Sequence, residues 1–241
     1  MIDIHCHILF GADDGAQTIG EAIDMIKLAA RCGTNAICVT PHSNIPGSFE
    51  NYISDIYYER INILREICLE ENVNVQLLCG QEIFCTYDTP DLLKEGRLIT
   101  LNNSRYPLVE FDFGESSNSV YEKLKMLKRA GYTPIVAHPE RYTFVQEDEG
   151  APERLRSLSC LMQINKGSIT GKFGLVAQNA AFSILRRELC SVIASDAHSP
   201  FMRTPNLATA YDIVSEAFGS RRAEKLFTEN PRKILQNKDL L

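Results

Sequence analysis

Short runs of valine, isoleucine and leucine recur along the chain, separated by longer amphipathic stretches. The runs at 1–5, 35–40, 74–79, 108–112, 133–137, 161–165 and 191–194 are near-continuous in apolar residues. That pattern predicts strands buried on both faces, because a strand open to water on one face would alternate with polar residues. Helical signals lie between them. Thr18 with Glu21 predicts a capped start, Ile19, Ile23, Ile26 and Ala30 an apolar stripe, and Gly33 an end. Residues 50–71 carry Ile53, Ile56, Tyr57, Leu64, Ile67 and Cys68 at helical spacing. Thr89-Pro90 starts another helix. Further helices are predicted over 120–130, 206–218 and 221–227, with a short turn at 230–235. Residues 116–119 and 146–153 read as solvated polar loops. Seven strands alternating with helices predict an α/β fold with a parallel sheet closed into a barrel. With no linker or repeat, residues 1–241 are expected to form one domain.

The composition suits that picture. At 241 residues, 44% apolar and 23% charged, the chain can bury one large core. A net charge of −6 speaks against nucleic acid as the main partner. No apolar run reaches the roughly 18 residues of a membrane span, and the first residues have no signal-peptide pattern, so a cytoplasmic location is expected. Eight cysteines occur without any Cys-x-x-Cys pair, and most sit in apolar runs, where a reduced thiol acts as a small hydrophobe.

All five histidines fall at the ends of the apolar runs. His5 and His7 lie in Asp-Ile-His-Cys-His, His42 follows Thr40-Pro41, His138 precedes Pro139-Glu140-Arg141, and His198 closes Ser-Asp-Ala-His. In α/β barrels the C-terminal strand ends carry the chemistry. The first strand delivers His5 and His7, the second His42, the third Glu82, the fourth Glu110, the fifth His138, and the seventh Asp196 and His198. Residues two apart on an extended chain share a side, so His5 and His7 should point together and Cys6 away. Imidazoles with carboxylates form a ligand set for manganese, iron, zinc or cobalt. Plainer readings exist: a histidine hydrogen-bonded in a core, Glu82 and Glu110 in salt bridges, Asp13 and Asp14 in an Asp-Gly turn. Of those two aspartates, Asp14 is the candidate ligand. Asp3 and Asp112 are candidates to orient ligands from behind. Arg141 and Arg203 follow two of the histidines and carry the planar fork that suits phosphate, although either could be a plain surface arginine.

Together, Asp-Ile-His-Cys-His, Thr-Pro-His, Gly-Gln-Glu, Val-Glu-Phe, His-Pro-Glu-Arg and Ser-Asp-Ala-His resemble the polymerase-and-histidinol-phosphatase (PHP) superfamily, from residue 2 to beyond 203. Asp-Asp-Gly after the first strand, Glu110, His-Pro-Glu-Arg, Arg203 and Glu-Asn-Pro-Arg232 are similar to the capsule-operon protein-tyrosine phosphatases of CpsB/CapC type. The resemblance implies a distorted seven-stranded (β/α) barrel holding three divalent metal ions, usually manganese. By motif, His5, His7, Glu82 and Asp196 would hold the first ion, Glu82, Glu110 and His138 the second, and Asp14, His42 and His198 the third. Arg141 and Arg203 would clamp the phosphate. The implied substrate is phosphotyrosine on the tail of a bacterial tyrosine kinase controlling polysaccharide export. Ser43 stands where family members often carry another histidine, and no ligand role is assigned to it.

The reaction so implied is metal-assisted hydrolysis of a phosphomonoester. A cysteine-dependent phosphatase is excluded, because no cysteine has an arginine six positions on. The alternatives are a small-molecule phosphatase such as one acting on histidinol phosphate, a 3′–5′ exonuclease, and a metal-bearing scaffold without activity.

Overall fold

In the computed structural model, which describes residues 1–240, nine strand segments run parallel to their partners. They are β1 Ile2–Cys6, β2 Ala36–Val39, β3 His42–Ser43, β4 Gln76–Cys79, β5 Glu82–Phe84, β6 Leu108–Glu110, β7 Ile135–Ala137, β8 Leu161–Asn165 and β9 Val192–Ala194. Seven segments lie on the seven expected runs, and β3 and β5 continue the second and third runs past a break that the apolar pattern did not show. The second breaks at Thr40-Pro41, where proline supplies no N–H to the ladder. The third breaks at Gly80-Gln81. There the Tyr57 hydroxyl accepts from Gly80 N at 2.9 Å and donates to Gly80 O at 2.7 Å. A side chain at Gly80 would place its Cβ 2.6 Å from Cys38 Sγ, so only glycine fits the break.

The breaks divide the ladder into β1-β2-β4 and β3-β5-β6-β7-β8-β9. Backbone bonds continue past both ends. Asp196 N donates to His5 O at 2.8 Å, His7 N to Ala197 O at 2.9 Å, and Cys6 and Ala197 form an isolated parallel bridge. The seven runs therefore succeed one another around a ring whose last seam is this bridge, an α/β barrel distorted at the breaks.

The helices are α1 Ile19–Arg31, α2 Asp55–Glu70, α3 Thr89–Lys94, α4 Ser117–Arg129, α5 Thr143–Glu147, α6 Ala151–Ser157, α7 Lys166–Ile169, α8 Gly174–Arg186, α9 Ala208–Phe218, α10 Ser220–Glu224 and α11 Asn230–Leu235. Thr18 accepts from Glu21 N, as the capping signal predicts, while Glu21 reaches back to Gln17 N. Alternation along the strands separates two environments. Val109, Val136, Met162 and Ile193 pack with helix residues such as Leu124, Ile184 and Val214. Leu108, Ile135, Leu161 and Val192 join Ile4 and Cys38 in a cluster drawn from six strands, as a filled barrel interior requires.

Several expected boundaries move. The residues at 116–119 are a helix start: Ser116 caps α4 through Ser119 N. The expected loop at 146–153 shrinks to Asp148–Gly150, because α5 ends at Glu147 and α6 opens with buried Ala151 and Pro152. The segments α7 and α8, between the sixth and seventh runs, carry helices that periodicity did not reveal. The helix expected over 221–227 passes into a π-turn at Lys225–Glu229.

Candidate metal centre

Extended backbone in β1 sets His5 and His7 on one side, with their Nε2 atoms 3.1 Å apart. Cys6 points away into the apolar cluster beside α1 and α2. Each imidazole is held from behind at Nδ1, His5 by Gln163 Oε1 at 2.8 Å and His7 by Asp13 Oδ2 at 2.7 Å. Both acceptors favour the Nδ1–H tautomer, which leaves Nε2 with its lone pair aimed forward.

The Asp13-Asp14-Gly15 turn gives its two carboxylates different work. Asp13 is buried and also accepts from His42 N at 2.8 Å and Gly15 N at 2.9 Å. Asp14 faces the imidazoles, its Oδ1 lying 3.3 Å from His198 Nε2 and 3.5 Å from His42 Nε2. Gly15 packs so tightly on the His7 backbone that a Cβ there would fall 2.2 Å from His7 O.

Glu82, at the start of β5, sits at the middle. Its Oε2 lies 3.1 Å from His5 Nε2, 3.2 Å from His7 Nε2 and 3.0 Å from His42 Nδ1. Its Oε1 lies 2.9 Å from His138 Nε2. Glu110, ending β6, meets His42 Nδ1 at 2.7 Å. Asp196 Oδ1, past β9, is 3.6 Å from His5 Nε2 and 3.5 Å from His7 Nε2. His138 and Asp196 both have left-handed backbone, φ 35° and φ 49°, an unfavourable state for non-glycine residues that clusters where side chains must be aimed.

Three groups of donor atoms thus gather, each with all its atoms within 4.8 Å: His5, His7, Glu82 and Asp196; His7, Asp14, His42 and His198; and His42, Glu82 and Glu110. The first matches the expected set. The second adds His7 to the expected trio. In the third, His42 stands where His138 was expected, and His138 reaches the cluster through Glu82. The two expected orienting aspartates do something else. Asp3 accepts from Ser195 N at 3.0 Å and His5 N at 3.3 Å, holding backbone at the barrel seam. Asp112 accepts from Gly114 N at the surface. Gln163 was not anticipated, although a glutamine inside an apolar strand is itself a signal that something needs its amide.

Burial penalises every charge here, and the neighbours decide which survive. Burial works against the Glu82 carboxylate, but His5 and His42 hold it well below the usual range. Burial also works against protonated His42, yet Glu82 and Glu110 push its pKa up to about 12; Glu82 and Asp196 bring His5 to about 9. His198 is lowered to about 4 by burial and by His7. Despite the crowding, Glu82 Oε2, His198 Nε2 and His138 Nδ1 are buried and hydrogen-bonded to nothing. Orphaned polar atoms inside a protein cost roughly 1–3 kcal/mol each. Nitrogen and oxygen atoms that converge at 3.0–3.5 Å without hydrogen-bond geometry share a target between them, and this donor set fits divalent cations.

Two guanidinium groups overhang Asp196. Arg203 Nη2 lies 2.5 Å from Asp196 Oδ1, and Arg141 Nη1 3.6 Å from Oδ2. Arg141 is sandwiched between Phe113 and Phe173, its Cζ 4.4 Å from each ring centre. Arg203 approaches the same Phe173 at 5.9 Å. The Phe173 ring lies on the Gly167 backbone, leaving no space for a Cβ. Nothing in the pattern of the chain marked Phe173 as a shelf for both arginines.

Comparison with known proteins agrees with the motifs. The family described as capsular polysaccharide synthesis, CpsB/CapC, matches residues 1–236. The tyrosine-protein phosphatase CpsB of Streptococcus pneumoniae is 33% identical over 243 residues, covering 98% of this chain and 99% of that protein. Crystal structures of YwqE from Bacillus subtilis and CpsB from Streptococcus pneumoniae, described as unique metal-dependent tyrosine phosphatases, match with a TM-score of 0.93 at 32% identity, covering 100% of this chain and 96% of the other. The histidinol phosphate phosphatase of Lactococcus lactis, solved with zinc, L-histidinol and phosphate, shares the fold at a TM-score of 0.55 and 13% identity, with 94% of each chain covered.

Proposed function

The chain belongs to the CpsB/CapC family, and on that premise we propose that it is a metal-dependent protein-tyrosine phosphatase. The observation that carries the reading is the convergence of imidazole and carboxylate atoms, several buried without partners, beneath two guanidinium groups. We assign His5, His7, Asp14, His42, Glu82, Glu110, His138, Asp196 and His198 to three divalent cations, with manganese the first choice and iron, zinc or cobalt compatible. When bound, the cations would lower the pKa of a water towards neutrality and offset charge on the phosphoryl oxygens.

The protein's own part is positioning. Gln163 and Asp13 fix the tautomers of His5 and His7. Glu82 presents both oxygens to different neighbours, so it suits a shared ligand. Arg141 and Arg203 offer N–H donors to phosphate in place of Asp196, and the buried Nε of Arg203 has no partner of its own. A tyrosyl leaving group has a pKa of about 10, so departure needs little help from a general acid.

The substrate we favour is a tyrosine-phosphorylated protein tail, from a bacterial tyrosine kinase that regulates capsular or exopolysaccharide synthesis. We put its action in the cytoplasm: all eight cysteines are free thiols, as suits a reducing compartment. Elemental analysis of the native protein, with turnover of a phosphotyrosine tail peptide and of histidinol phosphate, tests the reading. A metal-loaded protein that hydrolyses histidinol phosphate and leaves the peptide intact would replace it with the small-molecule alternative.

A further inference from the structure

Beside the donor cluster lies a cavity of about 360 Å³, with Asp196 and Arg203 in its lining. One wall is the α7 segment and Phe173; the other is the loop after His198, with Phe201 and Met202 at its tip. We propose that this slot seats the aryl ring of the phosphoester, making Phe201 and Met202 specificity-determining residues. The inference rests on the phosphatase reading above and goes further by naming the feature that selects an aromatic ester.

The loop is built rather than slack. Its base is closed by His198 N and Ser199 N, which donate to Arg203 O at 2.8 and 3.2 Å. At the tip, the Ser199 hydroxyl oxygen accepts from Phe201 N at 3.2 Å and Met202 N at 2.9 Å. Lysines from the opposite wall tie the two sides together. Lys172 Nζ donates to Met202 O at 3.3 Å, and Lys166 Nζ to Asn206 O at 3.0 Å and to Thr204 O. The spacing between the walls is thus set by hydrogen bonds, while Phe173 is pressed against Gly167 and cannot retreat.

Two features choose the occupant. Phe201 and Met202 are 81% and 78% exposed, unusual for large apolar side chains held on an ordered loop beside a polar centre. They need a flat apolar partner attached to whatever Arg203 holds. A phenyl ring is joined to phosphate through one ester oxygen, so a phosphate beneath Arg203 delivers the ring into the slot. Charge supplies the second argument. Lys166 and Lys172 line the cavity and would repel the ammonium group of an aminoalkyl phosphate, while leaving a neutral ring unaffected.

The test compares binding of phenylphosphonate and methylphosphonate, neither of which is hydrolysed, to the metal-loaded protein by calorimetric titration. Both present the same phosphoryl group. The wild-type protein should bind phenylphosphonate more tightly. The Phe201→Ala/Met202→Ala variant should lose about tenfold for phenylphosphonate, equivalent to ~1.4 kcal/mol, with methylphosphonate unchanged. Phe201→Leu should retain most of the preference. A variant that keeps the full phenyl preference, or weakens both phosphonates equally, overturns the slot assignment while leaving the phosphatase reading intact. If the loaded wild-type protein neither binds phosphonates nor hydrolyses p-nitrophenyl phosphate, the phosphatase reading itself falls.

Discussion

Gly167→Ala adds one methyl group on α7, at the wall of the slot and outside the metal donor set, and the structure says where the strain must go. The new Cβ would lie 2.5, 2.9 and 3.0 Å from Cε2, Cζ and Cδ2 of Phe173. To recover an ordinary contact of 3.4 Å, the ring must withdraw by about 0.9 Å. Behind it stands the Arg141 guanidinium at 4.4 Å, itself backed by Phe113. The ring can move only by displacing the arginine or by opening the sandwich. Overpacking of this kind costs about 1–3 kcal/mol. A misplacement of about 1 Å in a reacting arrangement costs on the order of 100-fold in rate. Turnover of a phosphotyrosine peptide should therefore fall about 30- to 100-fold. Metal content should change far less than turnover, because this segment meets the donors only indirectly, through Asn165, which accepts from Gly167 N and donates to Asp196 Oδ2. Steady-state kinetics with elemental analysis separates the two readouts. Phe173→Ala removes both the clash and the shelf, so the double variant should be no slower than Phe173→Ala alone. Wild-type kcat/KM in Gly167→Ala would refute the claim that Phe173 fixes the arginines.

Chelation should abolish turnover and thiol alkylation of the folded protein should not, since burial pushes Cys85, Cys160 and Cys190 up to about 12; rapid loss on alkylation alone would contradict a metal mechanism. Asp13→Asn, which weakens the support behind His7, should cost about 10–100-fold in metal affinity, and Glu82→Gln should cost more and reduce the number of ions bound. Competition against a chelator measures both, and wild-type affinity in Glu82→Gln would remove Glu82 from the ligand set. Lys166 supplies a pH test: burial lowers its pKa from 10.5 to about 8. Between those values the unfolded chain binds more protons than the folded one, so this lysine's contribution to stability rises with pH. Measured by denaturant unfolding, the wild type should gain on Lys166→Met by about 3 kcal/mol from pH 8 to 10.5, and a gap independent of pH would mean that the lysine is not held in a depressed state.

The seven apolar runs were legible because burial on both faces removes the polar alternation that strands otherwise show. Their interruptions were harder to read. Pro41 announces one break, yet His42-Ser43 beyond it pairs with β5 and reads in isolation as loop. Gly80 announces the other only once Cys38 and Tyr57 are seen to fill the space beside it. The segment from Lys166 to Arg186 hid its helices for a related reason. Two of the four buried positions of α8, Ala177 and Ala181, are small, while the larger Leu175 and Val176 are exposed, so the apolar stripe is blurred.

The site divides along the same line. Groups that meet at strand ends inherit their direction from the strand, so residue type and position sufficed to bring His5, His7, Glu82, Glu110 and Asp196 together. The division between Asp13 and Asp14 depends on a turn whose Gly15 packs against His7 O, a contact made by tertiary closure. Groups that would meet the substrate ride on loops, and a loop's direction is set by bonds distant in sequence. Lys166 and Lys172 hold the loop bearing Phe201 and Arg203 from forty and thirty residues away. The donor cluster can therefore stay constant while the loops change what it acts on. On this argument substrate choice is decided at positions 199–206, and exchanging that loop should alter preference among phosphoesters without altering bound metal.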